Sequence, residues 1–402
     1  MSVTMFPGCR GKPAMKKHRM NKELSIYAAR LRELIANRPS AIGHRQFSEL
    51  ALKLFTLQFE NNIAYRKICE ARSLTPEVVE HWTQIPAMPT NAFKELELSC
   101  IPPEERIAVF HSSGTMEQKP SRHFHNAESL AVYEASLWAW FEQNIPANSE
   151  FRIQNSELLV LTPPPERTPH SSLVHMFETV RQKFGAAEAA FVGKLAADGA
   201  WTLDFDAALG VLSSRAPCTA PRAVLLLGTA FSLVHLLDYL TEQGLRVGLP
   251  AGSRVMETGG YKNRSRTLPK TELHALITER LGISQENIIC EYGMSELGSQ
   301  AYDSVTSNEC RVSSKGSVFR HPSLVTRYFR FPPWVRAQII SLETGREAAD
   351  GETGLIRVLD LANVFSVAAI QTEDLGVRRG DGFELIGRAQ LAEPRGCSLM
   401  AA

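Results

Sequence analysis

With 402 residues, 44% of them apolar and 22% charged, the chain has the composition of a globular protein of one large or two ordinary domains. Lys plus Arg number 44 against 43 Asp plus Glu, so the charge balance gives no reason to expect nucleic acid or an anionic membrane as partner. The 7 Cys are odd in number and scattered, with no Cys-x-x-Cys spacing. That pattern argues against a disulfide framework or a zinc site and for a reducing compartment.

Residues 1–22 lack the apolar core of a signal peptide and carry Lys12, Lys16, Lys17 and Arg19. They read as a loose, solvated basic tail. From Phe47 to about Trp82 apolar residues recur at helical spacing, and Thr75-Pro76 reads as a further helix start. The prolines of Ile85 to Lys94 demand an extended connector. A strand is predicted over Arg106–Phe110, and the polar stretch His111–Ser121 follows it directly.

That stretch, His-Ser-Ser-Gly-Thr-Met-Glu-Gln-Lys-Pro-Ser, offers hydroxyls, a glycine and a lysine in one loop. Backbone N–H groups and hydroxyls can surround phosphate oxygens, and a lysine adds positive charge. It lacks Walker spacing, and an ordinary polar turn has the same composition. Beyond it, Glu128–Glu142 reads as a helix with an aromatic stripe, Leu158–Leu161 as a strand, and Ser171–Phe177 as the opening of a helix.

Ala223–Leu240 is too interrupted by Gly228, Thr229, His235 and Asp238 to span a membrane, and reads as strand, turn and helix. Leu245–Leu249 is read as a strand, Leu268–Leu281 as a helix, and Ile288–Cys290 as a strand running into Glu291–Glu296. Alternating strands and helices imply a mostly parallel sheet covered on both faces, with ligands beyond the carboxyl ends of its strands. After Pro332 short strand-like runs with turns between them (Val335–Leu342, Gly354–Asp360, Val367–Gln371, Phe383–Ile386) imply a small, mainly antiparallel sheet. The expected division is a tail over 1–22, an α/β body over 23–332, and a small β subdomain with C-terminal tail over 333–402.

Four segments stand in a fixed order: Ser112-Ser-Gly-Thr-Met-Glu-Gln-Lys119, Tyr292-Gly-Met-Ser-Glu296, Thr372-Glu-Asp-Leu-Gly376 and Gly387-Arg388. The order resembles that of the adenylate-forming superfamily, which activates carboxylic acids with ATP. Further runs narrow the resemblance to the acyl-protein synthetase (LuxE-type) family. These are Ser171-Ser-Leu-Val-His-Met176, Leu227-Gly-Thr-Ala-Phe231, Glu257-Thr-Gly-Gly-Tyr-Lys262 and Arg395-Gly-Cys-Ser-Leu399. The resemblance covers nearly everything from Phe47 onward. It implies the layered α/β fold of the superfamily's N-terminal domain. The larger superfamily continues into a C-terminal domain with a catalytic Lys; this chain stops soon after Arg388, as acyl-protein synthetases do.

The implied chemistry joins ATP and a carboxylic acid, expected to be fatty, into acyl-adenylate and pyrophosphate, then passes the acyl group to a thiol. Ser112, Ser113, Gly114 and Thr115 would hold pyrophosphate, with Lys119 offsetting its charge. Glu296 would bind Mg²⁺, which takes few protein carboxylates; a carboxylate favoured by a helix dipole is the alternative. Tyr292 and Gly293 would lie by adenine, Ser295 by the α-phosphate, Asp374 by the ribose hydroxyls, and Arg388 by the ribose or α-phosphate; a turn aspartate and a surface salt bridge are the alternatives for the last two. His175 would steady the substrate carboxylate, or serve as an ordinary helix histidine. Cys397 would receive the acyl group, its thiolate favoured by Arg395, or serve as an ordinary small buried residue.

One departure matters. Where many relatives have Thr-Gly, this chain has Met116-Glu117. A carboxylate about 6 Å from phosphate costs roughly 2–3 kcal/mol, about a hundredfold in ATP binding, unless it faces solvent or a cation. The expectation is a cytoplasmic ligase with an acyl reductase or carrier protein as partner. Acyl-CoA or aryl-CoA ligases, carrier- or amide-forming adenylating enzymes, and a weakened binding subunit remain open.

Overall fold

The computed structural model describes residues 13–38, 40–112, 119–145, 156–185, 190–197, 199–213, 222–259, 266–306 and 326–389. Helix α1 (Pro13–Ala36) precedes α2 (His44–Asn61) and α3 (Ile63–Ala71). On α1, Leu24, Tyr27, Ala28, Leu31 and Ile35 are buried at helical spacing. The basic residues 13–22, expected in a loose tail, therefore continue a helix anchored by this stripe. Asn62 caps α3, its side chain accepting from the Tyr65 amide.

Next come β1 (Met88–Pro89), α4 (Ala92–Glu95), and an antiparallel hairpin of β2 (Ala108–His111) and β3 (Arg122–His125). Helix α5 (Ala127–Asn144), β4 (Ser156–Val160), α6 (Ser172–Phe184) and β5 (Ala190–Phe191) follow. A small hairpin, β6 (Gly193–Leu195) with β7 (Trp201–Leu203), leads to α7 (Phe205–Leu212). The α/β alternation resumes with β8 (Ala223–Thr229), α8 (Ala230–Glu242), β9 (Arg254–Thr258), α9 (Lys270–Leu281) and β10 (Ile288–Tyr292). Six strands close the chain: β11 (Ala301–Thr306), β12 (Thr326–Arg330), β13 (Val335–Ile340), β14 (Thr353–Asp360), β15 (Ala369–Arg379) and β16 (Gly382–Arg388).

The strands β5-β4-β8-β9-β10 run parallel, and β11, β12, β16, β15, β14 and β13 extend them antiparallel in that order. Alternate residues of the parallel strands face opposite layers, as a two-residue period requires. Leu158, Val160, Leu225, Leu227, Met256 and Ile289 pack with α5 and α6. Leu159, Leu226, Val255 and Ile288 pack with α8 and α9 on the other side. Helices α1 to α3 share a third apolar cluster with β13 to β15.

Three local expectations are corrected. Leu245–Leu249 is not a strand: the Val247 and Leu249 amides bond the Arg280 and Leu281 carbonyls, satisfying acceptors that the end of α9 leaves open. The strand at this point is β9. Thr75-Pro76 opens only a turn, with the Val78 and Val79 amides on the Thr75 carbonyl. The strand expected to end at Gln371 runs on to Arg379 as β15, so Thr372–Gly376 lies inside it and holds a register shift at Leu375/Gly376. The expected C-terminal antiparallel sheet forms, joined to the parallel strands through the Phe329–Phe383 pairing of β12 and β16. Among the described residues no helix is long and apolar enough to cross a membrane.

Candidate active site

The segment after β10 turns away at Gly293, which is exposed, and buries again at Ser295 and Glu296. Its path is fixed from two sides. From the hairpin, His123 Nδ1 donates to the Ser295 carbonyl at 2.7 Å, a bond that requires the proton on Nδ1. Burial pulls the His123 pKa down to about 4, so the ring is neutral at pH 7.

From the turn after β14, Asn363 Nδ2 donates to the Glu296 carbonyl at 2.7 Å. The Asp360 carboxylate accepts from the Gly298 amide, the Ser299 hydroxyl and the Ala362 amide, each at 2.9 Å. Gly298 lets the chain pass close, since a Cβ would lie 3.0 Å from the Ala362 carbonyl carbon.

Held this way, Ser295 Oγ donates to Glu296 Oε2 at 3.1 Å and lies 3.3 Å from Ser121 Oγ. Ser112 Oγ accepts from the Ser121 amide at 3.0 Å, closing the two ends of the phosphate-type loop. Burial pushes the Glu296 carboxyl up, opposed by the Ser121 and Ser295 hydroxyls and the Arg388 charge. A buried carboxylate beside two hydroxyls is a hard-oxygen set that fits Mg²⁺.

At the strand ends the Tyr292 hydroxyl donates to Asp374 Oδ2 at 2.9 Å. The Tyr292 ring packs at 5.4–6.1 Å between centroids against Phe329, Phe331 and Phe383. Arg388 Nε lies 3.7 Å from Asp374 Oδ1, and its guanidinium 3.8 Å from Glu373. Burial raises the Asp374 carboxyl against the Tyr292 bond and the Arg388 charge. Arg388 acts electrostatically on Tyr292, Asp374 and Glu296 alike. Tyr292, Asp374 and Arg388, from β10, β15 and β16, therefore meet in one place.

Two further expected site residues have carboxylate partners. Lys119 is exposed and pairs with Glu95 at 3.4 Å. His175 bonds Glu134 at 3.1 Å between α6 and α5, with its ring 5.2 Å from Phe110. Ser113, Gly114, Thr115, Glu117 and Cys397 lie outside the described residues.

The sheet defines the class first: the fold is that of the adenylate-forming ligases. A 2-hydroxyisobutyryl-CoA ligase in complex with 2-HIB-AMP and CoA superimposes with a TM-score of 0.60 at 11% identity, over 86% of this chain and 69% of that one. The chain belongs to the family described as acyl-protein synthetase, LuxE, whose model matches residues 20–402. Among its relatives are the long-chain-fatty-acid–luciferin-component ligases of Vibrio harveyi and Aliivibrio fischeri, each 23% identical. They align over 88% of this chain and 86% and 87% of their own lengths. The protein is thus a ligase that activates an acyl group and transfers it to protein.

Proposed function

We propose that the protein uses ATP to activate a long-chain fatty acid and loads it onto Cys397 before delivery to a partner's thiol. One observation carries this reading: Tyr292, Asp374 and Arg388 converge on the segment that presents Ser295 and Glu296. An aromatic wall, a ribose acceptor, a fork-shaped cation and a metal-binding carboxylate are the parts a nucleotide needs.

In this account the acid's carboxylate attacks the α-phosphorus of ATP. A new oxygen–phosphorus bond forms and pyrophosphate leaves. Asp374 orients the ribose, with Tyr292 holding the carboxylate in place. Arg388 and the Ser295 hydroxyl offset charge at the α-phosphate. Glu296 would hold Mg²⁺, which supplies Lewis-acid charge neutralisation to the phosphates when bound. Lys119, two residues from Ser121, would exchange its exposed Glu95 for pyrophosphate, assisted by Ser112, Ser113, Gly114 and Thr115. His175 would contact the acid end of the pocket from α6, and Gly293 would leave room for adenine.

The Cys397 thiolate then attacks the acyl carbonyl, forming a thioester and releasing AMP. An acyl reductase or acyl carrier protein is the expected recipient. Free, buried thiols at Cys69, Cys100 and Cys290 suit a reducing cytoplasm. The family membership weighs against a free-standing CoA ligase.

The test is mass spectrometry after incubation with ATP, Mg²⁺ and radiolabelled tetradecanoate. A hydroxylamine-labile acyl adduct at Cys397, lost in Cys397→Ser, is expected. An undiminished adduct in that variant overturns the acceptor assignment.

A further inference from the structure

Below the strand-end cluster, β9, β10 and α9 bring together three side chains that the ligase chemistry does not use. Glu257 is on β9, Cys290 on β10 and His274 on α9, with exposures of 4%, 1% and 4%. Cys290 Sγ lies 2.9 Å from Glu257 Oε1 and 3.7 Å from His274 Nε2. His274 Nε2 is 3.6 Å from the same Glu257 oxygen.

A triangle with these sides has a centre about 2 Å from every corner, the length of zinc bonds to nitrogen and oxygen. A displacement out of the plane lengthens all three distances together, and a slight shift away from the sulfur brings that one distance toward the roughly 2.3 Å of a zinc–thiolate bond. A thiol, an imidazole and a carboxylate form a mixed, borderline-soft set. Mg²⁺ and Ca²⁺ take oxygen instead, so the donors favour Zn²⁺ over these cations. The absence of Cys-x-x-Cys spacing speaks only to ligands close in sequence, and these three come from separate elements.

The surrounding charges set the condition for binding. Asp303 is already engaged, accepting from the Cys290 amide at 2.7 Å and pairing with Arg327 at 2.8 Å. Lys270 Nζ lies 3.6 Å from Glu257 Oε1. On binding, the Cys290 thiol gives its proton to solvent, and Zn²⁺ is balanced by that thiolate and the Glu257 carboxylate. The Lys270 ammonium then loses its counter-ion. Its side chain is 41% exposed, so it can turn outward into water.

We propose that Glu257, His274 and Cys290 form a zinc site with water in the fourth position, pinning α9 to β9 and β10. The neighbouring Thr258 hydroxyl bonds Glu291, and Cys290 is two residues before Tyr292, so the site braces the frame beneath the nucleotide end. It is independent of the ATP chemistry proposed above and can fail alone.

The experiment titrates the chelator-treated full chain with Co²⁺, whose thiolate charge-transfer and tetrahedral d–d bands report sulfur ligation directly. One equivalent giving both bands, displaced by Zn²⁺, is expected, and Cys397→Ser should leave the spectrum unchanged. Cys290→Ser should abolish the charge-transfer band. Because that variant can fail to fold, Lys270→Met provides a second test. Removing the opposing ammonium should tighten Co²⁺ binding by about tenfold or more. No thiolate band in the parent chain, a band lost with Cys397→Ser or retained in Cys290→Ser, or an unchanged affinity in Lys270→Met each overturns the proposal.

Discussion

Asp360 is fully buried and accepts three hydrogen bonds that hold the turn behind Glu296. Two effects oppose each other in its carboxylate. Burial disfavours the charge, the three donors favour it, and burial wins, raising the pKa to about 6 from 3.8. A carboxyl raised on folding contributes stability fully below its unfolded pKa and loses it as pH rises through the folded pKa. The full loss is about 3 kcal/mol, of which roughly 2 kcal/mol falls between pH 4.5 and pH 8.

Asp360→Asn keeps the shape of the protonated acid and does not titrate. Relative to the parent it should therefore gain about 2 kcal/mol between pH 4.5 and pH 8. Urea unfolding of both proteins at the two pH values measures this. A stability difference independent of pH would refute the claim that burial dominates. Asp360→Ala leaves the Gly298, Ser299 and Ala362 donors unpaired and should cost roughly 3–5 kcal/mol at pH 4.5 and about 2 kcal/mol less at pH 8, where the parent has lost that stability.

Tyr292→Phe removes the donor to Asp374. Because Asp374 is partly exposed, the full value of a charge-assisted bond is discounted to about 1 kcal/mol, read as a KM for ATP raised about fivefold. Ser121→Ala takes a hydroxyl from Ser295 and Glu296 and should lower the exchange rate by about fivefold, with about 1 kcal/mol lost in urea unfolding because the site is buried. Gly298→Ala pushes a Cβ against the Ala362 backbone; the cost should be about 1–3 kcal/mol in urea unfolding.

The parts of the site that were legible in the sequence are those written in short runs. Tyr292, Asp374 and Arg388 fall in such runs, and their side chains lie in one hydrogen-bonded and charged group in the structure. What fixes them was not legible. His123, Asp360 and Asn363 reach the 295–299 segment from positions 62 to 172 residues away, and no local period marks such a contact. Ser121 lay within the polar loop, yet only its packing against Ser295 distinguishes it from the other hydroxyls there.

In the fold, strand–helix alternation was readable because apolar runs such as Ala223–Leu227 are unbroken. Leu245–Leu249 attracted the wrong reading because the leucines and valine look like a strand, whereas their amides serve the end of α9. Strand β9 hid because it begins with Arg254 and carries Glu257 and Thr258 inward. The Cys290 cluster escaped for the same reason as Asp360: its members come from three elements.

Fatty-acid-dependent ATP–pyrophosphate exchange, measured for the parent chain and for Glu296→Gln across a range of Mg²⁺ concentrations, bears most directly on the proposed activity. Exchange that requires acid, ATP and Mg²⁺ together, and that disappears in a folded Glu296→Gln protein, is the result expected. Exchange persisting in that variant at parental Mg²⁺ dependence, or none in the parent with any long-chain acid, would contradict the assignment of the strand-end cluster.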